Sequence, residues 1–371
     1  MQQAVKFALQ PEPAALPQHR LRGLDSLRGL AALAVVLFHY TTGYESRFGP
    51  FASRPLFYVP HGHFGVELFF CISGFVILGT IERSSSMTRF AIARFARIYP
   101  AFLVCALISL TTIRAAHFNF PDLDATNLLW NATMLTGLMG SPSIDPSYWT
   151  LSYEVLFYAA AASVWSACGG RRRLEVPCLL WLVCSLVGHS VPWVLQHHRL
   201  TALLNIEYAN LFVIGMMLYY LSQGSRTWLT IPTLAAASLL SLFRPEYNQG
   251  RLPQPAYVVL IVIFITVLWL VAHSGGRFLD IRPLVFLGEI SYSLYLIHQT
   301  VGFALIRIFL RAGFWTDAAI CLTVLLMIGL AFCLRLWVEK PAERWIKNFR
   351  KAKSREAKER NTENAYGVLR T

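Results

Sequence analysis

Apolar residues gather in ten stretches separated by short polar segments: Leu24 to Tyr40, Phe64 to Ile81, Ile98 to Ile113, Tyr148 to Ala167, Val176 to Leu195, Leu203 to Leu221, Trp228 to Phe243, Ala256 to Ala272, Pro283 to Leu310 and Thr316 to Val338. Most approach the roughly 20 residues a helix needs to cross about 30 Å of hydrocarbon. The pattern predicts an all-α polytopic membrane protein of about ten transmembrane helices. Pro232 interrupts the seventh stretch. The run Asn127 to Leu138 is too short to span and reads as interfacial or re-entrant.

Composition agrees with this class: 55% of the 371 residues are hydrophobic, 14% are charged, and mean hydropathy is +0.48, which is not the balance of a soluble globule. Lys and Arg set the orientation. If the N-terminus is cytoplasmic, inner segments hold Lys6, Arg20, Arg22, Arg83, Arg89, Arg94, Arg97, Arg171 to Arg173, Arg226, Arg277 and Arg282, and ten more basic residues follow Val338. Outer segments hold Arg47, Arg54, Arg114, Arg199, Arg244, Arg251, Arg307 and Arg311. Both termini are therefore expected inside, with a polar segment 1–22, a membrane domain 23–338 and a basic tail 339–371. Topology and attraction to membrane lipid then account for the net charge of +13 without nucleic acid. No cleavable signal peptide is expected ahead of Leu24. The seven cysteines are scattered and read as apolar packing residues, no metal site is expected, and Asn131 in Asn131-Ala132-Thr133 reads as a chance match to a glycosylation acceptor.

Ionisable groups inside spans are costly and mark sites or pathways. Counting about 1.5 Å per residue from each predicted helix end places His39, Glu67, Glu154 and His298 in one layer, roughly 21–24 Å from the inner face. A second layer, near that inner face, is cationic: Arg28, Arg94 and Arg97, with Arg277 and Arg282 close by. Guanidinium forks pair bidentately with phosphate. Arg28 and His39 are 11 residues apart, about 16 Å along one helix and within roughly 20° of one face. That matches an extended pantetheine arm, so a donor with phosphates at Arg28 would deliver its thioester to His39. Other readings stay open: Arg94 and Arg97 as topology residues, His39 as interhelical glue, Tyr148 and Trp149 as an interfacial belt. A proton-coupled transporter or exporter would also use buried His and Glu, but no inverted repeat is visible.

LDSLRGLAALAVVLFHY at 24–40, HFGVELFFCISGFVI at 63–77, RFARIYP at 94–100, YWTLSYEVLFY at 148–158, GEISYSLYLIHQ at 288–299 and VEKPAERW at 338–345 resemble, in order, the motifs of the acyltransferase 3 family of integral membrane O-acyltransferases. The resemblance covers about residues 20–345. It implies transfer of an acyl group, usually acetyl, from cytoplasmic acetyl-coenzyme A to a hydroxyl of an extracytoplasmic carbohydrate or glycolipid, in the bacterial inner membrane. A neutral imidazole at His39 would act as base or acyl carrier. Glu67 would orient it, with Glu154 the competing candidate. Arg28, Arg94 and Arg97 would bind the donor. Asp25, Trp149, Ser152, Tyr292, Tyr295 and His298 become supporting or acceptor-binding residues. Aromatics of the segments 44–62 and 114–147, among them Tyr44, Phe48, Phe51, Phe118, Phe120 and Trp130, offer faces for sugar rings or for interface anchoring.

Overall fold

Every regular element among the described residues is helical. The computed structural model describes residues 18–118, 124–169, 174–224, 227–242, 252–274, 276–346 and 348. Lys6, Phe120, Arg171 to Arg173, Arg226, Arg244, Arg251 and most of the basic tail lie outside them. The helices are α1 (Gln18–Phe38), continued by a π-helical turn His39–Gly43, then α2 (Tyr44–Phe48), α3 (Gly65–Glu82), α4 (Met87–Ala115), α5 (Ala125–Ala132), α6 (Thr136–Met139) and α7 (Trp149–Ala167). They are followed by α8 (Glu175–Ser190), α9 (Pro192–Gln196), α10 (His198–Leu203), α11 (Ala209–Ser222), α12 (Thr230–Leu242), α13 (Gln254–Ser274), α14 (Arg282–Arg311) and α15 (Thr316–Leu334), which ends in a second π turn, Arg335–Glu339.

Five helical stretches, Gly62–Glu82, Met87–Ala115, Gln254–Ser274, Arg282–Arg311 and Thr316–Ile346, are long and apolar enough to cross a membrane, and α8, α11 and α12 are apolar but shorter. The protein is thus a helical membrane protein. α1 and α7 occupy the first and fourth apolar stretches and carry Arg28 and Glu154 within them. Pro232 does not interrupt the seventh stretch, because it lies in the first turn of α12, where a missing N–H costs nothing. Asn127 to Leu138 forms the short helices α5 and α6. Asn131 there is buried, and its amide bonds the Asn127 and Pro142 carbonyls and the Ile144 N–H, so it serves the loop.

The third stretch begins earlier than its hydropathy predicts. Ser86 caps the helix by accepting from the Arg89 N–H at 3.2 Å, so α4 starts at Met87 and runs unbroken through Pro100. Arg94 and Arg97 consequently lie within the helix rather than in a turn leading into it. The apolar side chains form two packed groups: one centred on α3, α11 and α13, the other on α1, α4, α14 and α15. Glycine lets the helices meet. A Cβ at Gly288 would collide with the Asp25 carbonyl, and one at Gly215 with the Cys71 carbonyl. Small residues of this kind permit close backbone packing in membranes, and the first contact presses α14 onto α1.

Candidate active site

The close crossing of α1 and α14 brings two histidines together. His39 Nδ1 and His298 Nε2 are 3.0 Å apart, with ring centroids separated by 4.9 Å. Backbone carbonyls assign the protons. Tyr295 O lies 2.7 Å from His298 Nδ1 and Val35 O lies 3.0 Å from His39 Nδ1. A carbonyl only accepts, so both Nδ1 atoms carry hydrogen in the neutral rings. His298 Nε2 then accepts from His39 Nδ1–H, and His39 Nε2 is left as the acceptor nitrogen of its ring. The Tyr40 hydroxyl donates to the His298 carbonyl at 2.8 Å, fixing the turn that carries His298. His39 is also the first residue of a π turn, an irregularity often found at functional sites.

Three arginines line a cavity bounded by α1, α3, α4, α7 and α14. Arg28, Arg94 and Arg97 share its wall with Glu154, Tyr158, Tyr292 and Tyr295, and it holds about 870 Å³ of empty space including its open side. Glu154 is the one carboxylate among these lining residues. It accepts from the Tyr158 hydroxyl and, at 3.5 Å, from Ser73. Arg94 donates to Thr80 at 3.1 Å, and Arg28 lies 3.8 Å from Asp25. The charges of Arg97, Asp25 and Glu154 all act on Arg28. Cations therefore outnumber carboxylates around this space. Arg277 and Arg282 are exposed and stand apart from it.

Tyr295 joins the two features. Its ring lines the cavity while its carbonyl holds His298. Its hydroxyl donates to the Ser147 carbonyl at 2.9 Å and lies 2.9 Å from Thr150 Oγ1. Tyr292 lines the cavity and donates to the Ile98 carbonyl at 2.9 Å. Glu154 is thus gathered with the arginines. Glu67 is buried in the adjoining apolar group, where Tyr257 of α13 donates to it at 3.4 Å. The α3 residues lining the cavity are Val66, Phe69, Phe70, Ile72, Ser73, Val76 and Ile77. Cys71 and Gly74 lie against α11, and Glu67 meets α13 through Tyr257. Ser152 donates to the Met134 carbonyl at 2.7 Å and receives the Gly137 N–H at 3.1 Å, holding α6. Trp149 packs on Tyr153 and Tyr208.

Sequence reasoning missed Asp145 and Tyr158. Asp145 is fully buried and accepts from the Ser147 N–H at 2.9 Å, Ser147 Oγ at 2.6 Å, Ser109 Oγ at 3.4 Å and the Thr300 N–H at 3.1 Å. Leu296 O, the usual helical partner of that N–H, accepts from the Tyr148 hydroxyl at 3.0 Å. The segment 145–148 therefore clamps α14 on both sides of His298, and the Asp145 charge acts on that ring. Asp145 caps a short helix with Pro146 in its first turn, a signature legible in Asp-Pro-Ser. Tyr158 is four residues from Glu154, a spacing that makes neighbours on a helix.

The sequence profile of the family's acyltransferase domain matches residues 21–338. The chain belongs to the acyltransferase 3 family. It is accordingly an enzyme, an acyltransferase. It is similar to the exopolysaccharide production protein ExoZ of Rhizobium meliloti (strain 1021), 29% identical over 76% of this chain and 89% of that one. It is similar too to acyltransferase MdmB of Streptomyces mycarofaciens, 26% identical over 76% of this chain and 79% of the relative. Nodulation protein 10 of Rhizobium leguminosarum bv. viciae is 24% identical over 75% and 81%. No solved structure matches.

Proposed function

We propose that this acyltransferase moves an acetyl group from cytoplasmic acetyl-coenzyme A to a hydroxyl of an extracytoplasmic carbohydrate, in the bacterial inner membrane, with ten spanning helices and both termini inside. The observation that carries the reading is the pairing of one cation-rich cavity with a histidine pair one layer beyond it, bridged by Tyr295. Arg28, Arg94 and Arg97 hold the anionic groups of the donor. Arg28 and His39 stand 11 residues apart on α1 and its π-helical continuation, about 16 Å, so the pantetheine arm runs along the cavity past Tyr292 and Tyr295 to the imidazole.

His39 Nε2 accepts the proton of the acceptor hydroxyl as that oxygen attacks the thioester carbonyl. The new C–O bond forms, the C–S bond breaks, and the proton passes from His39 to the departing thiolate. During this passage His298 Nε2 accepts from His39 Nδ1–H and stabilises the imidazolium, the part played by a carboxylate in other triads. Glu154, tied to Tyr158 and Ser73, limits the charge excess of the arginine layer. Relatives named for exopolysaccharide production and nodulation support a carbohydrate acceptor.

Membranes containing the chain, given acetyl-coenzyme A labelled in the acetyl group, are expected to pass label to cell-surface glycan, and His39→Ala to lose about 10²–10⁴-fold of that transfer. Equal transfer by wild type and His39→Ala would overturn the proposal. Label retained on the protein with donor alone, and lost in His39→Ala, would assign an acyl-histidine intermediate.

A further inference from the structure

A second group of basic side chains lies at the end of α14 beyond the histidine pair, and the reaction above does not use it. Ser46, Arg47 and Phe48 of α2, His117 and Phe118 just past α4, and Arg307 of α14 line a concavity with about 900 Å³ of empty space including its open side. Two guanidinium groups and an imidazole converge there from three separate elements, and none of the described residues lining it is a carboxylate. The Arg307 guanidinium sits 5.2 Å from the Phe48 ring centre and 5.4 Å from that of Phe118. Stacking of this kind occupies the flat faces of a guanidinium and leaves its N–H edge to an anion. His117 holds φ +48° just past a helix end, where glycine would be unstrained. The chain keeps an imidazole at this place despite the strain.

We infer that this pocket binds a carboxylate- or phosphate-bearing sugar unit of the acceptor, which makes the substrate an acidic glycan. The assignment of that glycan as acceptor rests on the acyl-transfer reading; binding at the pocket does not. Ser46 donates to the Gly43 carbonyl at 2.8 Å, tying α2 to the π turn that begins at His39. Arg47 follows His39 by eight residues and Arg307 follows His298 by nine, about 12–14 Å along either segment. A glycan bound here would hold its acidic unit a few sugars away from the hydroxyl at the histidines. Rings beside the cations suit a sugar, whose apolar face stacks while its anion meets the guanidinium edge. A lipid phosphate would use the charge alone.

The test is direct binding to the full chain in phosphatidylcholine nanodiscs, without donor, using tetragalacturonate and the neutral maltotetraose. Tetragalacturonate is expected to bind about tenfold tighter. Arg307→Gln should abolish the preference, while Arg307→Lys, which keeps charge but loses the fork, should retain part of it. Equal binding of both sugars, or a preference that survives Arg307→Gln combined with Arg47→Gln in protein that elutes and melts like wild type, would overturn the inference. Phosphatidylglycerol nanodiscs that block tetragalacturonate through Arg307 would also overturn it, assigning the pocket to a lipid headgroup. Repeating the titration in His39→Ala separates the two readings: sugar preference kept with transfer lost supports the pocket whichever way the catalytic assignment falls.

Discussion

Arginines meet one turn of α14 in two different ways. Ser291 and Tyr292 face the cavity that holds Arg28, Arg94 and Arg97, whereas Ser293 donates to Glu339, which pairs with Arg335 at 2.9 Å. Arg335 also meets Glu343 at 2.8 Å, so one cation is answered by two carboxylates. On the cavity side three cations face Glu154, with Asp25 at 3.8 Å from Arg28. Arg335 is half-buried and bonded to both carboxylates, one of them on the buried Glu339, so its loss strands a carboxylate in the interior. An excess of buried cations is a standing cost that an anionic ligand relieves. The sign of the local excess, carboxylate around Arg335 and cation around the cavity, separates the arginine that holds the fold from those proposed to hold a substrate.

The largest effect should come from the Arg335 set. Arg335→Met leaves Glu339 and Glu343 unpaired and should lower stability by about 2–3 kcal/mol, measured as a lower thermal midpoint in detergent. Acetyl-coenzyme A affinity of the folded fraction should be unchanged. A variant that melts like wild type would erase the distinction. Removing a cation from the cavity set should do the reverse. Arg97→Gln takes away a like charge acting on Arg28, so the thermal midpoint should hold or rise, while the donor Kd rises about tenfold, near 1.4 kcal/mol. Donor affinity unaltered in Arg97→Gln would place the phosphates elsewhere.

Asp145 tests whether balance matters at the histidines too. Asp145→Asn keeps an acceptor oxygen for Ser147 or Thr300 but removes the charge acting on His298. If that charge stabilises an imidazolium on the pair, kcat should fall about tenfold with KM for the acceptor little changed. A purely structural loss would instead lower the thermal midpoint and leave kcat of the folded protein intact.

Heights in the bundle were legible in part, because a helix rises uniformly: His39 and His298, counted to one depth along separate spans, meet, whereas Glu154, counted to the same depth, lines the arginine cavity. Azimuth was not legible where it depends on which neighbour a helix meets. Glu67 was counted to the depth of His39, yet Gly65 packs on the Ala31 carbonyl, eight residues inward of His39 on α1, and the carboxyl meets Tyr257 of α13. The start of α4 was hidden because the Ser86 cap precedes a polar first half that hydropathy discards. The π turn at His39 has no local signature, since it depends on tertiary packing around Tyr40 and Thr41.

Glu67 supplies the smallest expected effect and tests directly whether its carboxyl takes part in the reaction. If it oriented His39, Glu67→Gln would cost orders of magnitude in kcat, as loss of a triad carboxylate does. In the structure the Tyr257 hydroxyl donates to it, and an amide oxygen at the same place still accepts that bond. The substitution therefore preserves the contact and, by removing an ionisable group from an apolar interface, should shift the thermal midpoint upward or not at all. Transfer should remain within about threefold of wild type, under 1 kcal/mol in barrier. A loss beyond about a hundredfold in a protein that melts normally would return Glu67 to the chemistry.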